Sequence, residues 1–200
     1  MTFTIPADVS LNELVASGTI NAYNANFTAI NTQGHIPLSL IHSLSPLSGI
    51  TMPGVAQAES SGGAPKVNWV YAGFNKDADE GMQWGFTMPR DYGVALTLCI
   101  PYYMATVTSG NVCWTAQLAA MSDTDATLTA KAFAAVNAAT VTVPGTAVTL
   151  DVASITMTNA DSVAALDKCV LYLYRDVSED NAAEDANIYE GVYLTYNKIA

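Results

Sequence analysis

Apolar side chains recur at every second position over several long runs of this chain, and that period admits strands and little else. The runs are Val67, Trp69 and Tyr71; Met82, Trp84, Phe86 and Met88; Val94, Leu96, Leu98, Ile100 and Tyr102; and Val112, Trp114, Ala116 and Leu118. Turn signals punctuate them at Pro89-Arg90-Asp91-Tyr92-Gly93 and at Ser109-Gly110, where proline and glycine break regular structure. Val141 and Val143 lead to the turn Pro144-Gly145, then to Val148, Leu150 and Val152. The apolar phase slips to Ile155 and Met157, as at a bulge. Lys168 to Tyr174 and Asn187 to Asn197 complete the set, while Leu128 to Ala139 suits a helical turn or a strand equally. About eight strands of ordinary length with little helix between them predict an all-β fold, an antiparallel jelly-roll β-sandwich. Val94–Tyr102 and Val112–Leu118 are expected to pair as a hairpin.

The first 65 residues differ in character. They hold no Lys or Arg, and their acids are Asp8, Glu13 and Glu59. Asp8 and Thr19 are candidate helix caps, with helices expected to Ala16 and to about Thr32. In the second, Ile20, Tyr23, Phe27 and Ile30 form a narrow stripe, fitting either a helix docked on its own domain or one that meets its copies. Pro37 to Pro53 is apolar but broken by proline and serine, so it reads as an extended arm, and Gln57 to Pro65 as a flexible joint. The expected division is a helical and extended N-terminal arm over 1–65 and a β-sandwich over 66–200. On that division Ile20, Tyr23, Phe27, Ile30, Ile36, Leu38, Leu40 and Ile41 form an oligomerisation or docking interface. Deletion of residues 1–65 should then leave a folded sandwich.

A net charge of −11 with seven cations in 200 residues argues against nucleic acid as a partner, since the field repels phosphates. The start Met1-Thr2-Phe3-Thr4-Ile5-Pro6 lacks the basic and apolar regions of a secretory signal. Val94 to Val107 is too short to span a bilayer and contains Pro101, so synthesis in the cytoplasm and no membrane partner are expected. Cys99, Cys113 and Cys169 lie in strand-like runs and read as reduced packing residues.

Signatures of phosphate loops, hydrolase elbows, zincins and paired cysteines are missing from the sequence. Both histidines, His35 and His42, lie in the arm, away from the strands that would supply a nucleophile. No catalytic residue, cofactor or metal is therefore expected. The acidic clusters at Asp77, Asp79 and Glu80, at Asp123 and Asp125, and at Asp176 to Asp185 do not match an EF-hand loop; paired acids of a glycosidase remain a distant alternative. The third cluster lies between tyrosine-rich strands and is expected to keep them soluble. Tyr172, Tyr174, Tyr189 and Tyr193 are a candidate aromatic contact face, either at a subunit boundary or beneath the arm. Trp69 and Trp84 could stack on sugar, although their alternation favours the core.

The succession Phe86 to Asp125, then Val143 to Val152, then Val170 to Tyr196 resembles a jelly-roll β-sandwich domain of tailed-bacteriophage virion proteins. The resemblance covers about residues 66–197. It is carried by Pro89 and Asp91-Tyr92 before a long strand, Ser109-Gly110 leading into Val112 and Trp114, the Arg175-Asp176 pair, and a last strand ending at Tyr196. Ala16 to Asn31 resembles, more weakly, the short helical starts of phage structural proteins. The resemblance implies a virion structural protein, commonly a homotrimer, and not an enzyme. As a capsid decoration or cement protein it would dock on the major capsid protein or another virion protein through the arm; as a tail-fibre or tail-tip protein it would bind host glycan or protein through the sandwich.

Overall fold

A computed structural model describes residues 32–199 apart from 47, 48, 124 and 126. The expected helices over 8–32, and with them Ile20, Tyr23, Phe27 and Ile30, lie outside the described residues. The rest is an antiparallel β-sandwich of eleven strands: β1 (Gln33–Ser39), β2 (Gly54–Glu59), β3 (Asn68–Phe74), β4 (Glu80–Thr87), β5 (Tyr92–Met104), β6 (Asn111–Met121), β7 (Asn137–Thr142), β8 (Asp151–Thr156), β9 (Lys168–Arg175), β10 (Ala186–Tyr189) and β11 (Gly191–Lys198). Short 3₁₀ turns at Leu40–His42 and Leu128–Ala130 are the helical pieces among these residues.

The long strand β5 organises the first sheet. One of its edges pairs with β8, while the other pairs with β11 along its first part and β10 along its last. Beyond these lie β1 against β11, and β3 then β2 against β10. The second sheet runs β4-β9-β6-β7. The expected hairpin of Val94–Tyr102 with Val112–Leu118 does not form: β5 and β6 lie in opposite sheets, and the Ser109-Gly110 turn carries the chain across the sandwich. A period of two specifies which side faces the core but not which strand is the neighbour.

Between the sheets, Leu96, Leu98, Ile100, Tyr102 and Met104 of β5 face Trp84 of β4, Trp114 and Leu118 of β6, and Leu171 and Leu173 of β9 as one buried cluster. Trp114 meets Phe74 and Tyr102 edge-on, with centroids 5.2 and 6.0 Å apart, a favoured geometry for aromatic pairs. The three cysteines are free and buried.

Gln33 to Ile199 is one compact unit, so the boundary expected at 65/66 moves to the start of β1. Ile36, Leu38 and Leu40, expected in a docking arm, are buried in the core, and Trp84 Nε1 donates to the Ser39 carbonyl at 2.9 Å. Of the expected interface residues that are described, Ile41 alone is exposed, at 72%. The physical reason is alternation: in Gly34, Ile36 and Leu38 it is the buried phase of a strand, a pattern that Pro37 obscured. Gln57 to Glu59, read as a joint, closes the sheet edge as part of β2.

Candidate functional site

The Trp69 and Tyr71 phase of β3, with Val67 just before it, points away from the core; Ala72 and Phe74, in the other phase, are fully buried. An outward tryptophan and tyrosine on a central strand require something unusual on that face. Tyr71 sits directly opposite Tyr189 of β10, and Asn187 of β10 lies between Gly73 and Tyr103 of β5. Because β10 is short and separates β3 from β5, aromatic rings from three neighbouring strands gather over it. Trp69 and Tyr189 have centroids 6.3 Å apart, and Tyr71 and Tyr103 meet edge-on at 6.1 Å. Trp69 Nε1 approaches the Tyr103 hydroxyl at 3.5 Å. Burial pushes the Tyr103 phenol above its ordinary pKa, and the Trp69 contact only partly offsets this, so the ring is neutral at physiological pH.

A groove of about 240 Å³ opens beside this cluster, lined by Ser60, Val67, Trp69, Tyr103, Val148, Leu150 and Tyr189. Val148 and Leu150 were expected on a strand's apolar face. They precede β8 instead and are exposed at 59% and 52%, forming the groove's apolar rim. The Tyr102-Tyr103 doublet was the available sequence signal, because an aromatic residue in both phases of one strand leaves one of them outside the core.

The four tyrosines expected to share a face are split between the sheets. Tyr189 and Tyr193 belong to the outer face just described, where Tyr193 stacks near His35 with centroids 4.7 Å apart. Tyr172 and Tyr174 lie on the outer side of β9 in the other sheet, stacked at 5.3 Å, with Phe133 against Tyr172 at 5.8 Å. Trp84 is core and Trp69 is not. His42 is exposed at the end of its 3₁₀ turn. No group of three or more His, Cys, Asp or Glu among the described residues is placed to hold a metal ion.

The acidic loop after β9 has a structural role. Arg175 is fully buried; its Nε donates to Asp180 Oδ2 at 2.6 Å and its Nη1 to the carbonyls of Phe74 and Glu184 at 3.0 and 2.9 Å. Glu184 accepts the amides of Thr106 and Val107, each at 2.9 Å. Asp185 accepts the Lys76 amide and Asp79 the Val177 amide, both at 3.0 Å. These carboxylates pin the loop as well as solvating it.

No family model and no curated protein matches the chain. Among solved structures it is similar to a carbohydrate-binding module specific for non-crystalline cellulose, CBM28, at 12% identity and a TM-score of 0.47, covering 80% of this chain and 89% of that one. It is also similar to the mannan-recognising module TmCBM27, at 10% identity and 0.42, covering 82% and 96%. A third is the CBM35 of Cellvibrio japonicus Abf62, at 12% identity and 0.37, covering 84% and 99%. The likeness is one of jelly-roll β-sandwich architecture.

Proposed function

We propose that this chain is a non-catalytic, glycan-binding β-sandwich carried on a bacteriophage particle, of fibre or tail-tip type, and that the outer face of the β5 sheet is its binding surface. The carrying observation is the convergence of Trp69, Tyr71, Tyr103 and Tyr189 on one outward sheet face beside an apolar groove. Such rings are usually spent on the core, and outward clusters of them mark contact surfaces. A sugar ring offers C–H groups on its face and hydroxyls at its rim. The ring faces meet the first; the phenol hydroxyls, the Trp69 N–H and Ser60 meet the second, in the mixture of apolar wall and few polar groups usual for small-molecule sites. The setting on a phage particle rests on the resemblance over residues 66–197.

A glycan array probed with the full chain tests the reading. Binding to a defined set of host-surface sugars is expected, and Trp69→Ala should weaken it at least tenfold without lowering the melting temperature, since the ring is outside the core. Absence of binding across the array, or an unaffected Trp69→Ala variant, overturns it.

Capsid decoration is the second reading. Ile41 and Leu44, exposed at 72% and 63%, favour it as an apolar contact just before β2. Against it, Ile36, Leu38 and Leu40 are engaged in the protein's own core. Copy number on purified particles separates the two: hundreds over the head for decoration, a few at one vertex for a fibre.

A further inference from the structure

We infer that the aromatic face holds a linear, uncharged glycan across two adjoining grooves, with Tyr189 as their shared wall and Glu190 as the residue that rejects acidic sugars; this rests on the glycan-binding reading. Tyr189 lines the groove of Trp69 and also a second one, of about 370 Å³, floored by His35, Pro101 and Tyr193 and bordered by Glu190. Ile188 pairs with Tyr102 and Tyr193 with Cys99, so the chain bulges between β10 and β11 and the two tyrosines stand about two β5 positions apart, roughly 7 Å at strand spacing. It is the two grooves together, of about 240 and about 370 Å³, that exceed a single sugar ring, so a ligand filling both is a chain.

Glu190 is one of six described non-glycine residues with a positive φ, and its backbone is tied on both sides. Its φ is 56°, a left-handed conformation that glycine or asparagine adopts at lower cost. The backbone there is fixed from both sides: the Glu190 amide donates to Val70 O at 2.8 Å, and the Leu40 amide donates to Glu190 O at 3.2 Å. Gly191 follows, where a Cβ would lie 2.3 Å from Leu38 O. The turn thus fixes where the Glu190 side chain leaves the backbone, at the groove wall. Glu190 is the one Asp, Glu, Lys or Arg among the described residues lining either groove. A carboxylate accepts hydrogen bonds from sugar hydroxyls and repels uronate, sialate or sulfate groups, and no lysine or arginine lines these grooves to compensate.

Titration calorimetry of the full chain tests this with cello-, manno- and malto-oligosaccharides of one to six residues, and with hexagalacturonate as the acidic probe. For at least one neutral series, affinity should rise at least tenfold between two and six residues, with no binding of hexagalacturonate. Tyr193→Ala should remove the gain with length while sparing the short ligands. Glu190→Gln should weaken the neutral hexasaccharide about tenfold and admit hexagalacturonate. Glu190→Gly, which relieves the backbone, should melt no lower than the wild type and show the same change in selectivity, separating carboxylate from fold. Length-independent binding that Trp69→Ala still abolishes overturns this inference alone, as does unchanged selectivity in both Glu190 variants. Failure of every probe, together with a blank glycan array, overturns the glycan reading as well.

Discussion

Arg175 is a fully buried cation in a core that is otherwise almost entirely apolar, and it persists because its donors are satisfied. Asp180, with 3% of its side chain exposed, takes Nε, while carbonyls of Phe74, Ala182 and Glu184 take the remaining contacts. Removing one partner of such a pair leaves an uncompensated charge away from water, which is more damaging than replacing both. Asp180→Asn keeps the shape and removes the charge, so urea denaturation should show a loss of about 3–5 kcal/mol. The double variant Arg175→Met with Asp180→Leu should recover a large part of that loss. A smaller penalty for Asp180→Asn than for the double variant would show that the pair is not the anchor of the loop.

At the scale of elements, the loop between β9 and β10 is held by Glu184, whose side chain reaches the turn after β5. Burial alone would raise its pKa, but the amides of Val107 and Thr106 and the Thr106 hydroxyl draw it below the ordinary value of 4.5. A carboxyl lowered in the folded state supplies stability that is fully present above its unfolded pKa and lost as pH falls through the folded one. The stability advantage of wild type over Glu184→Gln should therefore be largest near pH 7 and shrink below pH 4.5, as read by denaturation at a series of pH values. Glu80, raised chiefly by burial, pushes the whole protein's profile the other way, which is why the comparison with the variant is the diagnostic one. Elements of this kind were only partly legible in the sequence. The inward phases of β5 and β6 were plain, because Leu96, Leu98, Ile100 and Tyr102 in one and Val112, Trp114, Ala116 and Leu118 in the other keep one apolar period. The phase of β3 was not: Trp69 and Tyr71 match the pattern of a core face, and only the fully buried Ala72 and Phe74 reveal the reverse. Nor could a sequence distinguish Glu184, bonded to backbone amides across 77 and 78 positions, from acids that merely face water. The aromatic platform depends on β10 lying between β3 and β5, and strand order leaves no trace in local periodicity.

For the whole molecule, the opening third, which holds no Lys or Arg, divides at β1. Residues from Gln33 onward complete the sandwich, β1 covering the outer edge of β11 and β2 that of β3, while Leu44 and Thr51 make single bridges to β4 in the other sheet. Removing residues 1–65 would take Ile36, Leu38 and Leu40 out of the core. At about 1.5–3 kcal/mol for each fully buried side chain, the combined loss approaches the about 5–15 kcal/mol that holds an ordinary domain together. It would also bare the edges of β11 and β3, where unpaired amides and carbonyls template association with other chains. A chain starting at residue 66 should therefore aggregate or unfold, whereas one starting at residue 32 should melt cooperatively and keep whatever glycan binding the full chain has. Melting curves and light scattering on the two truncations decide the matter: a soluble, cooperatively folded 66–200 fragment would mean that β1 and β2 are accessories, and a binding-competent 32–200 fragment would assign the recognition surface to the sandwich and leave the first 31 residues free for attachment.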